Sequence, residues 1–257
     1  MRRALLSCRG VVHLAAVSRV ALGERDPDLC WSTNVGGTRA VVDAALALSR
    51  RPWLLFASSR EVYGQPRELP ATEETPLAPV NVYGRSKVAG ERLVDDATSH
   101  GLRAVIVRFS NVYGSTRDHR DRVVPAFARA ALLGHPLLVE GRDHTFDFTH
   151  IDDVVRGLVS TIQLLDGGES LPSINLLTGT PSTLWGLAHL SVELAGTAAP
   201  IIEVPPRSFD VSHFYGNPTR ARAILGWNPS TTLRQGVAGL ICDFRTELCP
   251  TGTEVRA

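Results

Sequence analysis

Short apolar runs alternate with amphipathic stretches along the first half of the chain. The runs Val11–Ala16, Trp53–Ala57 and Arg103–Phe109 are largely apolar, which is typical of strands buried on both faces of a parallel sheet. Between them, Asn34–Ser49 and Val82–His100 repeat apolar residues at helical spacing. This alternation predicts an α/β fold, with a doubly wound parallel sheet that helices cover on both faces.

The pattern is looser in the second half of the chain. Helices are predicted over Val123–Leu133, Ile151–Leu165, Thr183–Ala195 and Thr231–Phe244, and strands over Leu137–Glu140 and Ser173–Leu177. Four polar residues, Asp147, His150, Asp152 and Asp153, surround the start of the Ile151–Leu165 helix. We expect them to cap that helix, because carboxylates stabilise helix N-termini, rather than to bind a metal ion.

Composition excludes several classes of protein. The 257 residues include 27 basic and 26 acidic side chains, so no net field favours nucleic acid or anionic lipid as a partner. No apolar run approaches the length of a membrane span. The four cysteines, Cys8, Cys30, Cys242 and Cys249, form no C-x-x-C pair, which indicates reduced thiols in a cytoplasmic protein without a zinc site.

Tyr83 and Lys87 lie four residues apart on the predicted Val82–His100 helix, so their side chains share one face. An ammonium group beside a tyrosine lowers the pKa of the hydroxyl by stabilising the phenolate. The pair therefore predicts a general acid/base unit. The spacing alone is also typical of an ordinary surface pair. However, Lys87 is the only lysine among 27 basic residues, which favours a site that requires a compact ammonium.

Polar residues follow two of the predicted strands. Ser58 and Ser59 come after the Trp53–Ala57 strand, and Asn111 follows the Arg103–Phe109 strand. Ligands of open parallel sheets bind beyond the carboxyl ends of the strands. These residues are therefore candidates for a binding site, although serine and asparagine are also common in ordinary turns.

The chain resembles the extended branch of the short-chain dehydrogenase/reductase superfamily, in particular its NAD-dependent sugar-nucleotide epimerases and dehydratases. The matching stretches, in family order, are Val12–Ala16, Asn34–Thr38, Ser58–Gly64, Tyr83–Glu91, Arg108–Gly114, Asp147–Asp153 and Leu225–Trp227. The resemblance implies a Rossmann-type fold, NAD as cofactor (with NADP as the alternative) and a nucleotide-sugar substrate.

The resemblance also implies a role for each candidate residue. Tyr83 would be the catalytic base, Lys87 would bind the nicotinamide ribose and tune Tyr83, and Ser59 would hold the reacting sugar hydroxyl. The cofactor site would be lined by His13, Ala15, Ala16, Asn34 and Ser58, and the substrate site by Ser59, Glu61, Asn111 and Arg207, the last two at the diphosphate. No metal site is expected.

The family pattern begins with a strand, a glycine-rich turn and a helix, which this sequence lacks. The resemblance thus implies an N-terminally truncated dinucleotide-binding core over residues 1–112 and 145–180. A small mixed α/β substrate-binding region would comprise residues 113–144 and 181–257. A misassigned start, a truncation or a second polypeptide would account for this, and we expect weak NAD binding and a tendency to aggregate.

Two further positions depart from the family pattern. Phe146 stands where the family usually has an arginine that contacts phosphate, and Arg142 or Arg207 would have to compensate. Arg60 and Glu61 stand where the 4,6-dehydratases carry an Asp-Glu pair after the catalytic residue. Because arginine cannot donate a proton to a leaving hydroxyl at neutral pH, this difference favours an epimerase over a dehydratase.

The expected function is therefore that of an NAD-dependent sugar-nucleotide 4-epimerase that acts through a transient 4-keto sugar. One alternative is an NAD(P)-dependent reductase or another sugar-nucleotide-modifying enzyme of the family. Another is a non-catalytic binding protein or an inactive remnant. A homodimer formed through the Asn34–Ser49 and Val82–His100 helices is a further expectation from the family.

Overall fold

The protein is represented by a computed structural model that describes residues 2–248, so Cys249 lies outside the described residues. The strands are β1 (Gly10–His13), β2 (Trp53–Ser59), β3 (Ala104–Phe109), β4 (Asn111–Tyr113), β5 (Leu137–Glu140), β6 (Thr145–His150), β7 (Ile174–Leu176), β8 (Pro181–Thr183) and β9 (Ile201–Val204). The helices are α1 (Arg2–Leu5), α2 (Val20–Arg25), α3 (Pro27–Trp31), α4 (Gly37–Leu46), α5 (Val82–Ser99), α6 (Val123–Leu132), α7 (Ile151–Gly167), α8 (Leu184–Ala195), α9 (Thr219–Leu225) and α10 (Leu233–Leu248).

The main sheet has the strand order β1-β2-β3-β7, and all of its pairs are parallel. Successive side chains of β2 alternate between the two faces. Leu54 and Phe56 pack with residues of α4 and α5, whereas Leu55 packs with residues of α7 and α9. Helices therefore cover both faces, and the predicted α/β class with a doubly wound parallel sheet is confirmed.

A second hydrophobic core lies beside this sheet. It is formed by α6, α8 and α10 together with β5, β6 and residues around β9. Two short sheets belong to this part of the chain, with the orders β4-β6-β8 and β5-β9. Phe146 and Phe148 of β6 are buried in this second core, although the predicted division assigns residues 145–180 to the dinucleotide-binding core. The division into two functional regions stays a prediction.

Each predicted strand and helix has a counterpart in the structure, but the structure adds elements that the sequence did not predict, namely β4, β6, β8, β9, α1, α2, α3 and α9. The predicted Asn34–Ser49 helix begins as a π-helical turn over Ser32–Gly36 before α4 starts. The expected cluster at the start of α7 is wrong for Asp147, which lies in β6 and accepts hydrogen bonds from a distant loop. His150 caps α7 by accepting from the Asp152 N–H, and Asp152 and Asp153 lie in the first turn, where Asp153 also accepts from the distant Thr231 N–H.

No helix within residues 2–248 is both long and apolar enough to cross a membrane.

Candidate active site

A cavity of about 630 Å³ opens at the carboxyl ends of β2 and β3 and extends to the second core. This volume is within the range of small-molecule sites in proteins. Eight of the candidate residues line it, namely Ala16, Ser58, Ser59, Glu61, Tyr83, Lys87, Asn111 and Arg207. The structure therefore brings residues of the expected cofactor site and of the expected substrate site to one cavity.

Tyr83 and Lys87 occupy the first two turns of α5. The helix begins at Asn81, whose side chain accepts a hydrogen bond from the Gly84 N–H at 2.7 Å. A Cβ atom at Gly84 would come within 2.6 Å of the Glu61 carbonyl, so glycine permits the helix start to approach the loop after β2. The close packing holds Tyr83 and Lys87 at the edge of the sheet.

Ser59 lies opposite Tyr83. Its hydroxyl oxygen accepts from the Glu61 N–H at 3.2 Å. Burial raises the pKa of Tyr83 to about 12, and the interaction with the Ser59 hydroxyl opposes this shift. Desolvation of the phenolate is the largest cause of this shift, and the expectation that Lys87 tunes the Tyr83 pKa stays a prediction.

Lys87 is almost fully buried, with 4% of its surface exposed. Its ammonium donates to the Ala57 carbonyl at 2.7 Å and lies 5.1 Å from the centre of the Phe56 ring and 5.8 Å from that of Tyr83. Burial lowers its pKa to about 8. An ammonium has three N–H donors, and the hydrogen bonds of the described residues use one of them. Lys87 can therefore donate to a ligand in the cavity.

The neighbouring Ser58 is already engaged. Its hydroxyl donates to the Glu91 carboxylate, which also receives two hydrogen bonds from Arg108 at 2.9 and 2.7 Å. Arg108 donates further to the Tyr63 hydroxyl at 2.9 Å. This buried network fixes β2, β3 and α5 relative to one another, so Ser58 has a clear structural partner inside the protein.

Glu61 is likewise held by the protein. One carboxylate oxygen forms an ion pair with Arg60 at 2.9 Å, and the other accepts a hydrogen bond from the Asn81 side chain at 2.7 Å. Arg60 itself lies over the ring of Phe146, with its guanidinium carbon 4.6 Å from the ring centre. Glu61 is therefore fixed as a charged partner of Arg60 at the cavity wall.

Three of the candidate cofactor residues do not line the cavity: His13, Ala15 and Asn34. The His13 ring hydrogen bonds to the Thr38 hydroxyl at 3.1 Å, and burial followed by the charge of Lys87 lowers its pKa. Asn34 binds the backbone N–H and carbonyl of Val17 at 2.7 and 3.1 Å. These side chains position the segment after β1, and their cofactor role stays a prediction.

Asn111 and Arg207 also line the cavity. Asn111 begins β4, where it pairs with Phe148 of β6. Arg207 forms ion pairs with Glu140 at 2.9 Å and Asp210 at 2.8 Å, and half of its side chain is exposed. Arg142 does not line the cavity; it lies over Trp185 and pairs with Glu203. The expectation that Arg142 or Arg207 compensates for Phe146 stays a prediction.

Sequence reasoning missed the polar rim of the cavity. Arg19 pairs with Asp121, and Arg122 pairs with Asp118 at 3.4 Å and donates to the Ser18 hydroxyl at 3.2 Å. These contacts connect the segment after β1 to the loop before α6. The high density of charged residues over 118–122 can be seen in the sequence, but the neighbouring residues do not indicate which side chains they pair with.

Among residues 2–248, no group of three or more His, Cys, Asp or Glu side chains is arranged to hold a metal ion. The donors around the cavity are an ammonium, guanidinium groups and hydroxyls, which suit phosphate and sugar oxygens.

Comparison with known proteins places the chain in a family. The NAD dependent epimerase/dehydratase family matches residues 1–176. A UDP-glucose 4-epimerase of Streptomyces lividans is 31% identical over 242 residues, which cover 89% of this chain and 73% of that protein.

Solved structures are similar to the whole described fold, and two of them superpose on this chain with TM-scores of 0.89. The UDP-glucose 4-epimerase of Thermotoga maritima with UDP-glucose is 27% identical, with 96% and 81% of the two chains covered. MoeE5 in complex with UDP-glucuronic acid and NAD is 28% identical, with 96% and 82% covered. The chain therefore belongs to the NAD-dependent epimerase/dehydratase family.

Proposed function

We propose that the chain is an NAD-dependent nucleotide-sugar 4-epimerase. The observation that carries this proposal is the arrangement of Tyr83, Ser59 and Lys87 at the carboxyl end of the parallel sheet, on the wall of one cavity. A hydroxyl acid/base beside a second hydroxyl and a buried ammonium is suited to moving the proton of a sugar alcohol. The relatives named above are epimerases or bind UDP-sugars with NAD, which supports the same reaction here.

The residues fit the nicotinamide half of NAD. Lys87 has N–H donors for ribose hydroxyls, and Tyr83 lies next to it on the same helix face. The segment that follows β1, Leu14–Ser18, contains no glycine, so the fit concerns the nicotinamide half only. Bound NAD supplies the acceptor for the hydride that leaves C4 and later returns to the opposite face.

The chain's own residues handle the proton. Ser59 holds the 4-hydroxyl of the sugar, and Tyr83 accepts its proton while the C4 hydride leaves, which gives a 4-keto sugar. Tyr83 returns the proton to O4 when the hydride comes back. Since burial holds the pKa of Tyr83 at about 12, the phenolate needs a cationic neighbour. Lys87 already lies beside Tyr83, so the positive charge of an oxidised nicotinamide is the additional cation that would provide it.

Arg207 and Asn111 are proposed to meet the diphosphate of the nucleotide. A planar guanidinium matches phosphate oxygens, and Arg207 would exchange part of its contact with Glu140 and Asp210 for the ligand. The three described thiols, Cys8, Cys30 and Cys242, are free, which supports the proposed cytoplasmic location. The homodimer through α4 and α5 stays a prediction.

The test is interconversion of UDP-glucose and UDP-galactose with NAD present, followed by chromatography. Tyr83→Phe should lower kcat about 10²- to 10⁴-fold, the usual contribution of a general acid/base, while NAD still raises the melting temperature. Tyr215→Phe is the matched control, because Tyr215 does not line the cavity.

If Tyr83→Phe keeps most of the activity, the proposal is wrong. A reductase would instead consume NADH or NADPH in proportion to product, whereas an epimerase recycles its cofactor. A non-catalytic protein would show no change in melting temperature with NAD.

A further inference from the structure

We propose that Lys87 is a covalent-modification site, whose amine condenses with small hydroxyaldehydes that enter the cavity, with the Tyr83 hydroxyl as the proton donor. The product is an imine on the lysine side chain. The inference goes beyond the proposed epimerisation, which uses Lys87 as an ammonium and forms no bond to it.

The Lys87 amine lies on the wall of the cavity and is held there by one hydrogen bond. Nζ donates to the Ala57 carbonyl at 2.7 Å, and the side chain lines the cavity of about 630 Å³. Glu91 lies one turn further along α5, but its carboxylate pairs with Arg108 at 2.7 Å. The amine is therefore fixed in position while its hydrogen bond to Ala57 leaves other sides of the nitrogen available to a ligand.

The surroundings of the amine favour its neutral, nucleophilic form. The centre of the Phe56 ring lies 5.1 Å from Nζ, which makes one side of the nitrogen apolar. Burial is the largest cause that lowers the pKa of Lys87 to about 8, and the Glu91 charge opposes it only in part. About half of the molecules then carry a neutral amine at pH 8. Desolvated lysines of this kind are the ones that form imines with carbonyl compounds.

The cavity also provides hydroxyl groups for the carbonyl oxygen of an aldehyde. Tyr83 and Ser59 line the same cavity, and the centre of the Tyr83 ring lies 5.8 Å from Nζ. Because burial raises the pKa of Tyr83 to about 12, its hydroxyl keeps its proton at neutral pH and can donate it.

The polar lining favours hydroxyaldehydes over apolar aldehydes. Ser110 and Asn111 line the cavity, and both side chains can form hydrogen bonds with hydroxyl groups of a ligand. An apolar aldehyde of similar size would leave these groups without a partner from the ligand.

The condensation consists of two balanced steps. The Lys87 nitrogen attacks the aldehyde carbon, a C–N bond forms, and a proton passes from nitrogen to the carbonyl oxygen, which gives a carbinolamine. Tyr83 then donates its proton to the hydroxyl group of the carbinolamine, the C–O bond breaks, and water leaves. The remaining proton on nitrogen returns to Tyr83, so the products are the imine and one water molecule.

The single lysine makes the experiment selective. The chain has two primary amines, the ε-amine of Lys87 and the α-amine at its start, and an α-amine also has a pKa of about 8. The full chain is incubated at pH 8 with glyceraldehyde and cyanoborohydride, which reduces each imine to a stable secondary amine. Peptide mass spectrometry then gives the rate of adduct formation at Lys87 divided by the rate at the α-amine. In the folded wild type this ratio should be at least 10.

Two comparisons assign the reactivity to the cavity. Tyr83→Phe should lower the ratio about 10-fold, because the proton donor is lost, whereas Tyr215→Phe outside the cavity should leave it unchanged. In urea that unfolds the chain, the ratio should fall below one, since an unfolded lysine regains its ordinary pKa. Propanal in place of glyceraldehyde should give a lower ratio in the folded chain.

The opposite results would overturn the inference. A ratio of one or less in the folded wild type means that burial shields Lys87 from aldehydes. A ratio that Tyr83→Phe leaves unchanged removes the proposed proton donor, and an equal ratio for propanal removes the preference for hydroxyaldehydes. The comparison of folded and unfolded wild type needs no variant, so it decides the matter even if Tyr83→Phe does not fold. Rapid adduct formation by a chain that epimerises no sugar would contradict the proposed function alone.

Discussion

Burial shifts the pKa values of Tyr83 and Lys87 in opposite directions. Tyr83 is raised to about 12 and Lys87 is lowered to about 8, because each loses water around its charged form. Both side chains therefore favour their neutral forms more than they would in water. A bound cation next to Tyr83 would restore the phenolate, so the chemistry of the site depends on its ligand.

The Lys87 shift has a consequence for stability. The folded pKa of about 8 lies below the ordinary value of 10.5, so the unfolded chain binds more protons between these pH values. The stabilisation is present above pH 10.5 and is lost as the pH falls through 8. Relative to Lys87→Met, the wild-type free energy of unfolding should therefore rise by up to about 3 kcal/mol from pH 8 to 10.5.

Urea unfolding of both proteins at several pH values measures this difference. A ¹⁵N-lysine-labelled sample gives the same pKa directly, since its lysine signal comes from Lys87 alone. A constant difference between the two proteins across this range would contradict the prediction.

Ser59 is expected to act on the pKa of Tyr83 as well as on substrate. Its hydrogen bond opposes the effect of burial on the Tyr83 hydroxyl, so Ser59→Ala should raise the Tyr83 pKa further. With substrate saturating, kcat should fall by about 10²-fold, in the range for lost general acid/base support. The pH–rate profile should move to higher pH. An unchanged profile would leave Ser59 with a binding role only.

At the scale of elements, α5 shows how much the sequence predicts. Its predicted range, Val82–His100, differs from the observed Val82–Ser99 by one residue. The long helical periodicity and Gly101, which has a positive φ of +84°, define the two ends.

Shorter elements are less predictable. β6 has no counterpart in the prediction, because Thr145–His150 is six residues long and its polar Asp147 is buried through contacts from distant loops.

The Asn81 cap connects helix stability to the site. Asn81 accepts from the Gly84 N–H and donates to Glu61, and it is fully buried. Asn81→Ala should cost about 2 to 3 kcal/mol, because the helix loses its cap and buried groups are left unsatisfied. Activity should also fall, since Tyr83 lies on the first turn of α5.

Thr183→Ala provides the comparison. Thr183 caps α8 by accepting from the Gly186 N–H at 3.0 Å, outside the cavity. Its loss should cost about 1 kcal/mol and leave kcat unchanged. Thermal unfolding and turnover of both variants test the pair, and equal effects on turnover would show that the cap at Asn81 has no special link to the site.

At the scale of the whole molecule, buried carboxylates join segments that are far apart in sequence. Asp153 of α7 accepts from the Ser230 and Thr231 N–H groups at 3.0 Å each, just before α10. Asp147 accepts from the Thr178 and Gly179 N–H groups at 3.0 and 2.7 Å. In the sequence, both carboxylates lie near the start of α7. Their hydrogen-bond partners are tens of residues away and produce no local sequence pattern, so these contacts are not predictable from the sequence.

Asp153 should make the molecule sensitive to acid. Burial alone would raise its pKa, but the hydrogen bonds from Ser230, Thr231 and Arg156 outweigh burial and hold it below its usual value. Its stabilisation is therefore present above the unfolded pKa and is lost as the pH falls through the folded one. Asp153→Asn should lower stability at neutral pH by about 1 to 3 kcal/mol, and the difference should shrink in acid.

Urea unfolding between about pH 7 and pH 3 measures this effect. Asp152→Asn is the control, because that side chain is mostly exposed and should change stability little. A deficit of Asp153→Asn that stays constant in acid would contradict the prediction.

The packing of Arg60 on Phe146 is the part of the site that sequence reasoning missed most clearly. The two residues come from the end of β2 and from β6. In the sequence each is an isolated departure from the family pattern, Arg60 standing in place of an acid and Phe146 in place of a phosphate-binding arginine. Only the fold brings them together, because the second core packs β6 against the loop after β2.

The solitary lysine also makes the folded chain resistant to one kind of proteolysis. A lysine-specific endoproteinase has one internal bond to cut, between Lys87 and Val88, and that bond lies within a helix packed against the sheet. Cleavage into two fragments therefore requires α5 to unwind from its place. The rate at which those fragments appear would therefore measure the opening of α5, and a ligand that binds against this helix should slow it.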